Sequence, residues 1–268
     1  MQLRQSDLKV WGKCPLAWRF ANIDKLAREQ SCALTFGSIL HDCVLFMEVQ
    51  QDLAAAQARF RQLWTNPELL DPEYRIDYYL PRRSWKKYHD EGLTILHNWW
   101  GIIQWESDVI IGRELSFTVP IGEHELHGTI DKLALRYLGK TDEWVVLVSD
   151  YKTSVKMPTY DYLSEDLQFS AYCYATLQKE FWAGVPNGEV WREQTEGLRR
   201  MGEWVQLRGP QRRDAGERVE RHFNRLSFAI DQISTSIGLR IFVPNISGEN
   251  CLYCEFRGPC GLPEVMTA

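Results

Sequence analysis

Two short segments bring together the residue types that phosphodiester hydrolysis needs. The first, HGTIDKLAL, carries Asp131, and the second, VVLVSDYKTS, carries Asp150 and Lys152. Side chains on a strand alternate, so Asp150 and Lys152 leave the same face if this stretch is extended. Pairing with a strand that carries Asp131 would then join two carboxylates and one ammonium in one pocket. Hard cations such as Mg²⁺ or Mn²⁺ take one or two carboxylates and leave positions for water and phosphate. Such an ion polarises phosphate and makes a water acidic enough to attack it near neutral pH. A lysine, as a compact point charge, can orient that water or offset the charge that develops on phosphate. A D-x-K triplet alone also reads as a surface salt bridge at a strand end; the apolar β-branched run before it is what marks a site. Gly128, three residues before Asp131, is expected to let another backbone approach closely.

A second set is made of sulfur. The chain has seven cysteines and no secretory leader pattern, which argues against a disulfide framework. Cys32, Cys43 and Cys173 stand singly among apolar residues, as small core side chains do. Cys251, Cys254 and Cys260 form C-x2-C-x5-C near one end, and Cys14 lies near the other. Soft thiolates hold iron–sulfur clusters or Zn²⁺. Structural zinc usually takes two close-spaced pairs, and here one pair joins two separate cysteines, which tilts the choice toward a cluster.

The elements that must position these groups follow from periodicity. Residues 6–30 read as helical with Ser6 as N-cap. From Thr35 to about Arg61, Phe36, Leu40, Cys43 and Met47 recur at steps of three and four and form one apolar stripe. Residues 62–110 read as a helical insertion rich in Trp and Tyr; Trp85, Trp99, Trp100 and Trp105 there pack in a core or form a stacking surface for unpaired bases. Glu114–Ile121 and Glu125–Leu135 alternate as strands around Gly122 and Glu123, and Trp144–Ser149 reads as a strand buried on both faces. Leu163–Phe181 is helical, short strands are expected at Glu189–Gln194 and Glu203–Leu207, and a long helix at Gln211–Ile237. With no linker rich in Pro, Gly or Ser, the chain reads as one α/β domain with a mixed central sheet.

Composition sets outer limits. The 268 residues are 44% hydrophobic and 25% charged, as in ordinary globular proteins. No unbroken apolar run reaches membrane-spanning length, so the expectation is a cytoplasmic protein with no membrane contact. A net charge of -5 excludes a uniformly basic nucleic-acid coat, though not local grip. Basic runs at Arg82, Arg83, Lys86 and Lys87, and from Arg208 through Arg212, Arg213, Arg218 and Arg221 to Arg225, read as solvated helix faces or as such grip. No G-x-x-x-x-G-K-[ST] motif is present, which leaves a stand-alone protein or a subunit.

In its ordered motifs the chain resembles the PD-(D/E)xK nuclease superfamily, particularly its RecB-like branch. FGSILHDCV resembles that branch's G-x-x-x-H helix, HGTIDKLAL its G-x-x-D strand, SDYKTS its D-x-K-T strand, and DLQFSAYCYA its Q-x-x-x-Y helix. The resemblance implies a restriction-endonuclease-like fold, with His41, Asp131 and Asp150 as Mg²⁺ or Mn²⁺ ligands and Lys152 as catalytic lysine. It implies that Gln168 and Tyr172 flank the site; Glu114 is a further acid that the strand pattern leaves undecided. KCPLAWRF and the cysteine-bearing tail resemble the iron–sulfur staple of AddB-type and small CRISPR-associated nucleases. There Cys14, Cys251, Cys254 and Cys260 would hold a [4Fe–4S] cluster that ties the two ends. The implied activity is exonuclease action on single-stranded or frayed DNA in recombination, repair, phage DNA metabolism or CRISPR adaptation, with a protein partner in some of these. The competing classes are an iron–sulfur DNA-end-binding module without catalysis, or a subunit of a larger nuclease complex, and a redox sensor.

Overall fold

In the computed structural model the described residues are 1–26, 32–70, 82–103, 107–247, 251 and 254–261. The amino-terminal part holds β1 (Gln2–Arg4), α1 (Gln5–Lys13), α2 (Pro15–Asn22), α3 (Cys32–Gln50), α4 (Leu53–Thr65) and α5 (Arg82–Ile103). The meander β2 (Val109–Ile121), β3 (His124–Leu138) and β4 (Glu143–Lys152) follows. After it come α6 (Tyr160–Ser164), α7 (Leu167–Ala175), α8 (Lys179–Ala183), α9 (Gly188–Thr195), β5 (Arg199–Gln206), β6 (Gln211–Glu217), α10 (Glu220–Leu239) and a last turn, α11 (Arg257–Cys260).

The six strands form one mixed sheet. β2 runs antiparallel along one edge of β3, while the other edge takes β1 in parallel at Glu125–His127 and β4 antiparallel from Lys132. β4 pairs in parallel with β5, so the chain must cross over between them, and α6 to α9 occupy that crossover. β5 and β6 close the far side as an antiparallel pair.

Two cores sandwich the sheet. On one face Val146, Val148, Phe117 and Ile130 pack with Trp11, Trp18, Tyr172, Leu226 and Ile230 from α1, α2, α7 and α10. On the other, Tyr151 and Val205 meet Phe36, Leu40, Phe60, Trp64, Leu96 and Trp99 from α3, α4 and α5. The mixed α/β architecture expected from periodicity therefore holds. Among the described residues, helix α3 alone has the length and apolar composition of a membrane span. Burial of Phe36, Ile39, Leu40, Cys43, Val44 and Met47 against the sheet accounts for that composition.

Several expectations are corrected. Ser6 lies inside α1; Arg4 is the N-cap, and its backbone N–H donates to Asp7 at 2.8 Å. The single helix expected over 6–30 breaks at Cys14, which is extended ahead of Pro15. The helix from Thr35 stops at Gln50 because Gln51 takes a left-handed backbone and Asp52 caps α4. The helix expected over 163–181 is three short ones, restarted by the Asp166 side chain on the Gln168 N–H. Residues Glu189–Gln194 are helix, not strand: the Val190–Trp191 pair carried the strand reading, and Glu, Arg and Gln around it favour helix. The long helix begins only at Glu220, and Gln211–Glu217 is strand, with Ala215 in the core and Gly216 at φ 86° where a side chain would be strained.

The insertion is helical in α5, which belongs to the second core: Trp99 is buried, and Trp85 and Trp100 pack at its border. Trp105 lies outside the described residues, as do the side chains of Arg82 and Arg83. Nor do Arg208–Arg218 form a helix face, since Arg212 and Arg213 stand on β6 and Arg218 is buried.

Candidate functional site

The alternation of β3 breaks once, and the break sits at Asp131. Ile130 and Leu133, three residues apart, both enter the first core, while the buried Lys132 between them pairs with Asp108. On β2 the register brackets Glu114 between Arg113↔Lys132 and Leu115↔Ile130, which puts it across from Asp131. Glu114 has φ 48°, a left-handed backbone uncommon for a residue with a side chain. The paired irregularity delivers two acids to one place. Gly128 serves a different end from the one expected: a Cβ there would strike the ring of Phe117 and Cγ of Gln5, so it makes room for side chains.

Helix α3 brings the third group. His41, Glu114 and Asp131 each offer a ligand atom, and all three atoms lie within 4.8 Å of one another. His41 Nδ1 is 3.8 Å from Asp131 Oδ2. That helix is pinned seven residues further on, where buried Glu48 accepts from Trp99 Nε1 at 3.1 Å and Tyr151 Oη at 3.0 Å and pairs with Arg113. At Gly37 α3 passes so close to the end of β4 that a Cβ would come within 3.1 Å of Thr153 Oγ1. The glycine of G-x-x-x-H thus sets the helix height, and the histidine one turn later inherits it.

Asp150 and Lys152 emerge together from β4, as period two requires. The Lys152 ammonium donates to Asp150 Oδ1 at 2.8 Å and sits 2.7 Å from Oδ2, though at an angle that leaves Oδ2 without a hydrogen bond. Gln168 Nε2 also donates to Asp150 Oδ1, at 3.0 Å, and to Tyr172 Oη at 2.8 Å. The backbone N–H of Tyr151 donates to Asp131 Oδ2 at 2.5 Å, which ties the two strands' acids together. His41, Glu114, Lys152 and Thr153 line one open cleft of about 660 Å³, with Gln5 and Gly37 at its wall.

The electrostatics suit a cation. Burial pushes the Asp150 carboxyl up, Lys152 works against that, and Asp131 adds to it. Burial lowers Lys152, but Asp150 and Asp131 outweigh it and hold the ammonium above its ordinary value. Glu114 is pushed up to about 7, first by desolvation at the cleft wall, then by Asp131, Asp42 and Asp150. A buried carboxylate oxygen without a hydrogen bond, beside a cluster of oxygen and imidazole donors, is the donor chemistry a hard divalent cation requires.

A family model described as the PD-(D/E)XK nuclease superfamily matches residues 2–261. The chain belongs to that superfamily. Among curated proteins none matches. Two solved structures align over nearly the whole nuclease chain. One is a candidate exonuclease from Eubacterium rectale, at 12% identity and TM-score 0.47, covering 100% of this chain and 90% of that one. The other is the protein SSO0001, at 11% identity and TM-score 0.36, covering 99% and 87%. Likeness of that size carries no argument about what this nuclease acts on.

The two ends of the chain also meet. Phe242 lies 6.3 Å from both Trp11 and Trp18 between ring centroids, and Phe20 lies 5.8 Å from Phe256. The backbone N–H of Asn245 donates to Cys14 Sγ at 3.4 Å. Burial raises the Cys254 thiol, and Cys14, Cys260 and Cys251 raise it further, so all three lie within electrostatic reach of it. Four free thiols at one seam, Cys14 and Cys254 among them already accepting backbone N–H groups, are a donor set for a soft metal or cluster.

Sequence patterns overlooked Glu48, Tyr151 and Arg113. Their role arises from contact between α3 and the sheet, and only an acid in the apolar stripe of α3 hinted at it.

Proposed function

We propose that this chain is a Mg²⁺- or Mn²⁺-dependent deoxyribonuclease of the RecB-like branch, an exonuclease acting on single-stranded or frayed DNA ends. The observation that carries it is the convergence of His41, Glu114 and Asp131 beside the Asp150–Lys152 pair on one cleft. His41, Asp131, Asp150 and Glu114 would hold the cation. When bound, the ion supplies Lewis-acid polarisation of phosphate and eases deprotonation of an attacking water. The residues do the rest. Lys152 presents a fixed positive charge where charge builds on phosphate, and Gln168, backed by Tyr172, keeps the Asp150 carboxylate from turning away. Desolvation, followed by Asp150 and Asp131, raises Tyr172 well above its ordinary value, so it stays a neutral phenol that can accept from Gln168.

Cys14, Cys251, Cys254 and Cys260 would hold a [4Fe–4S] cluster as a staple between the two ends, remote from hydrolysis. The reading fits recombination, repair, phage DNA metabolism or CRISPR adaptation, with DNA as partner. The test is degradation of 5′- and 3′-labelled DNA by anaerobically purified protein with Mn²⁺, Mg²⁺ or EDTA. Wild type should degrade DNA only with cation, while folded Lys152→Ala should lose about 10² to 10³ in rate. Equal rates in the two proteins would overturn the assignment.

A further inference from the structure

Strand β2 changes faces at Glu114. A Cβ on Gly112 would come within 2.8 Å of Leu115 Cδ2, so positions 112 and 115 share a face although they stand three apart. Their ladder partners on β3, Leu133 and Ile130, do the same, and Leu115, Leu133 and Ile130 all pack in the first core. Arg113 and Lys132 form the next rung after Gly112 and Leu133 and turn the other way, Arg113 to Glu48 and Lys132 to Asp108. Period two would send Glu114 back into the first core at once. The left-handed backbone there makes it a residue of neither face, and it opens onto the cleft instead.

Such a backbone is unfavourable for a residue with a Cβ and persists only where its surroundings over-determine it. On the downstream side Leu115 is held by the first core. On the upstream side the hold is one ion pair, Arg113 with Glu48, whose side chain is 1% exposed. That carboxylate is itself fixed by Trp99 Nε1 at 3.1 Å and Tyr151 Oη at 3.0 Å. The same Tyr151 gives its backbone N–H to Asp131 Oδ2, across the ladder from Glu114. The contacts therefore close a ring, from Glu48 through Arg113, Glu114, Asp131 and Tyr151 back to Glu48, and His41 rides on the helix that carries Glu48.

We propose that Glu48 and Arg113 are a positioning pair for the metal site: their ion pair holds β2 on the α3 side up to residue 113 and so forces the Glu114 carboxylate out to meet Asp131. Neither residue lines the cleft, so both act through Glu114. This rests on the reading of His41, Glu114 and Asp131 as cation ligands, and it adds the group that decides where one of them stands.

The test is Mn²⁺ affinity by calorimetric titration, arranged as a double-mutant cycle on the whole protein. Arg113→Met should weaken binding about tenfold, as loss of a ligand's outer partner does. In a Glu114→Gln background the same change should cost less than about twofold, because the ligand it positions is already gone. Arg113→Lys keeps a charge opposite Glu48; it should lose less than Arg113→Met, show the same dependence on Glu114, and carry the cycle where Arg113→Met does not fold. Losses that multiply across the cycle, as independent packing defects do, or full affinity in Arg113→Met, would overturn the positioning role. A wild type that binds no Mn²⁺ would overturn both that role and the reading it rests on. Mn²⁺ binding with the expected coupling, in a protein that hydrolyses no DNA, would sink the nuclease reading and leave the pair's role standing.

Discussion

Glu114 stands across the β2–β3 ladder from Asp131 with its backbone in the left-handed region, and that pairing sets two acids at one cleft. Like charges so placed repel until a cation sits between them. Glu114→Gln should therefore weaken Mn²⁺ binding by no less than about tenfold, the lower bound for groups that only support a ligand. The apo protein should become slightly more stable. Calorimetric titration and thermal unfolding with and without Mn²⁺ measure both; unchanged affinity would remove Glu114 from the set.

Gly37 predicts a displacement. A methyl at that position meets Thr153 Oγ1 at 3.1 Å, so α3 must rise by a few tenths of an ångström. Gly37→Ala should lower Mn²⁺ affinity a few-fold through His41, and Gly37→Val should add a stability loss of about 1 to 3 kcal/mol from overpacking. Wild-type affinity in Gly37→Val would show that the contact does not set the height of His41.

Gln168 predicts a loss without unfolding. It donates to both Asp150 and Tyr172, so Gln168→Leu frees the Asp150 carboxylate while filling similar space. The rate of DNA hydrolysis should fall about 10- to 100-fold, with the melting temperature nearly unchanged. A parallel fall in both would mean a packing role only.

Asp108 predicts the acid limb of stability. Burial raises its carboxyl, but the hydrogen bond from Arg136 and the charges of Lys132 and Arg136 outweigh this and hold it at about 2. A depressed carboxyl stabilises the fold above its unfolded value near 3.8, and that stability is lost as pH falls toward 2. Asp108→Asn should cost about 3 kcal/mol at pH 7, because it takes a negative charge away from the buried Lys132. It should also flatten the decline in stability between pH 4 and 2. Urea unfolding across pH reads both effects.

Cys254 predicts a seam. Cys254→Ala should bleach the visible absorbance expected of a cluster and raise hydrogen exchange in α1, α2 and the segment after α10, while β4 stays protected. A colourless wild type with stoichiometric zinc would replace the cluster by a zinc site.

The parts of this molecule that could be read from its sequence are those set by local period. Asp150 and Lys152 share a face because strands alternate, and Gln168 and Tyr172 because helices turn every 3.6 residues. Glu114 could not be decided that way, since its position depends on a left-handed backbone that no residue type there announces. The strand at 211–217 looked helical because its charges are held by tertiary partners: Arg212 lies within 3.9 Å of Asp108, and Arg213 donates to the Pro158 carbonyl at 2.6 Å. The helix at 188–195 looked extended because two β-formers outweighed six neighbours in a short window.

β4 has a neighbour along both edges, β3 and β5, and apolar layers above and below. Asp150 and Lys152 lie just past the last β3 pairing at Ser149 and keep their ladder with β5, so neither can leave the site without tearing that ladder. Any breathing needed to admit a strand or release a cleaved nucleotide falls to the helices around it, among them α3 with His41. Turnover would then be paced by helix motion around a stationary anvil.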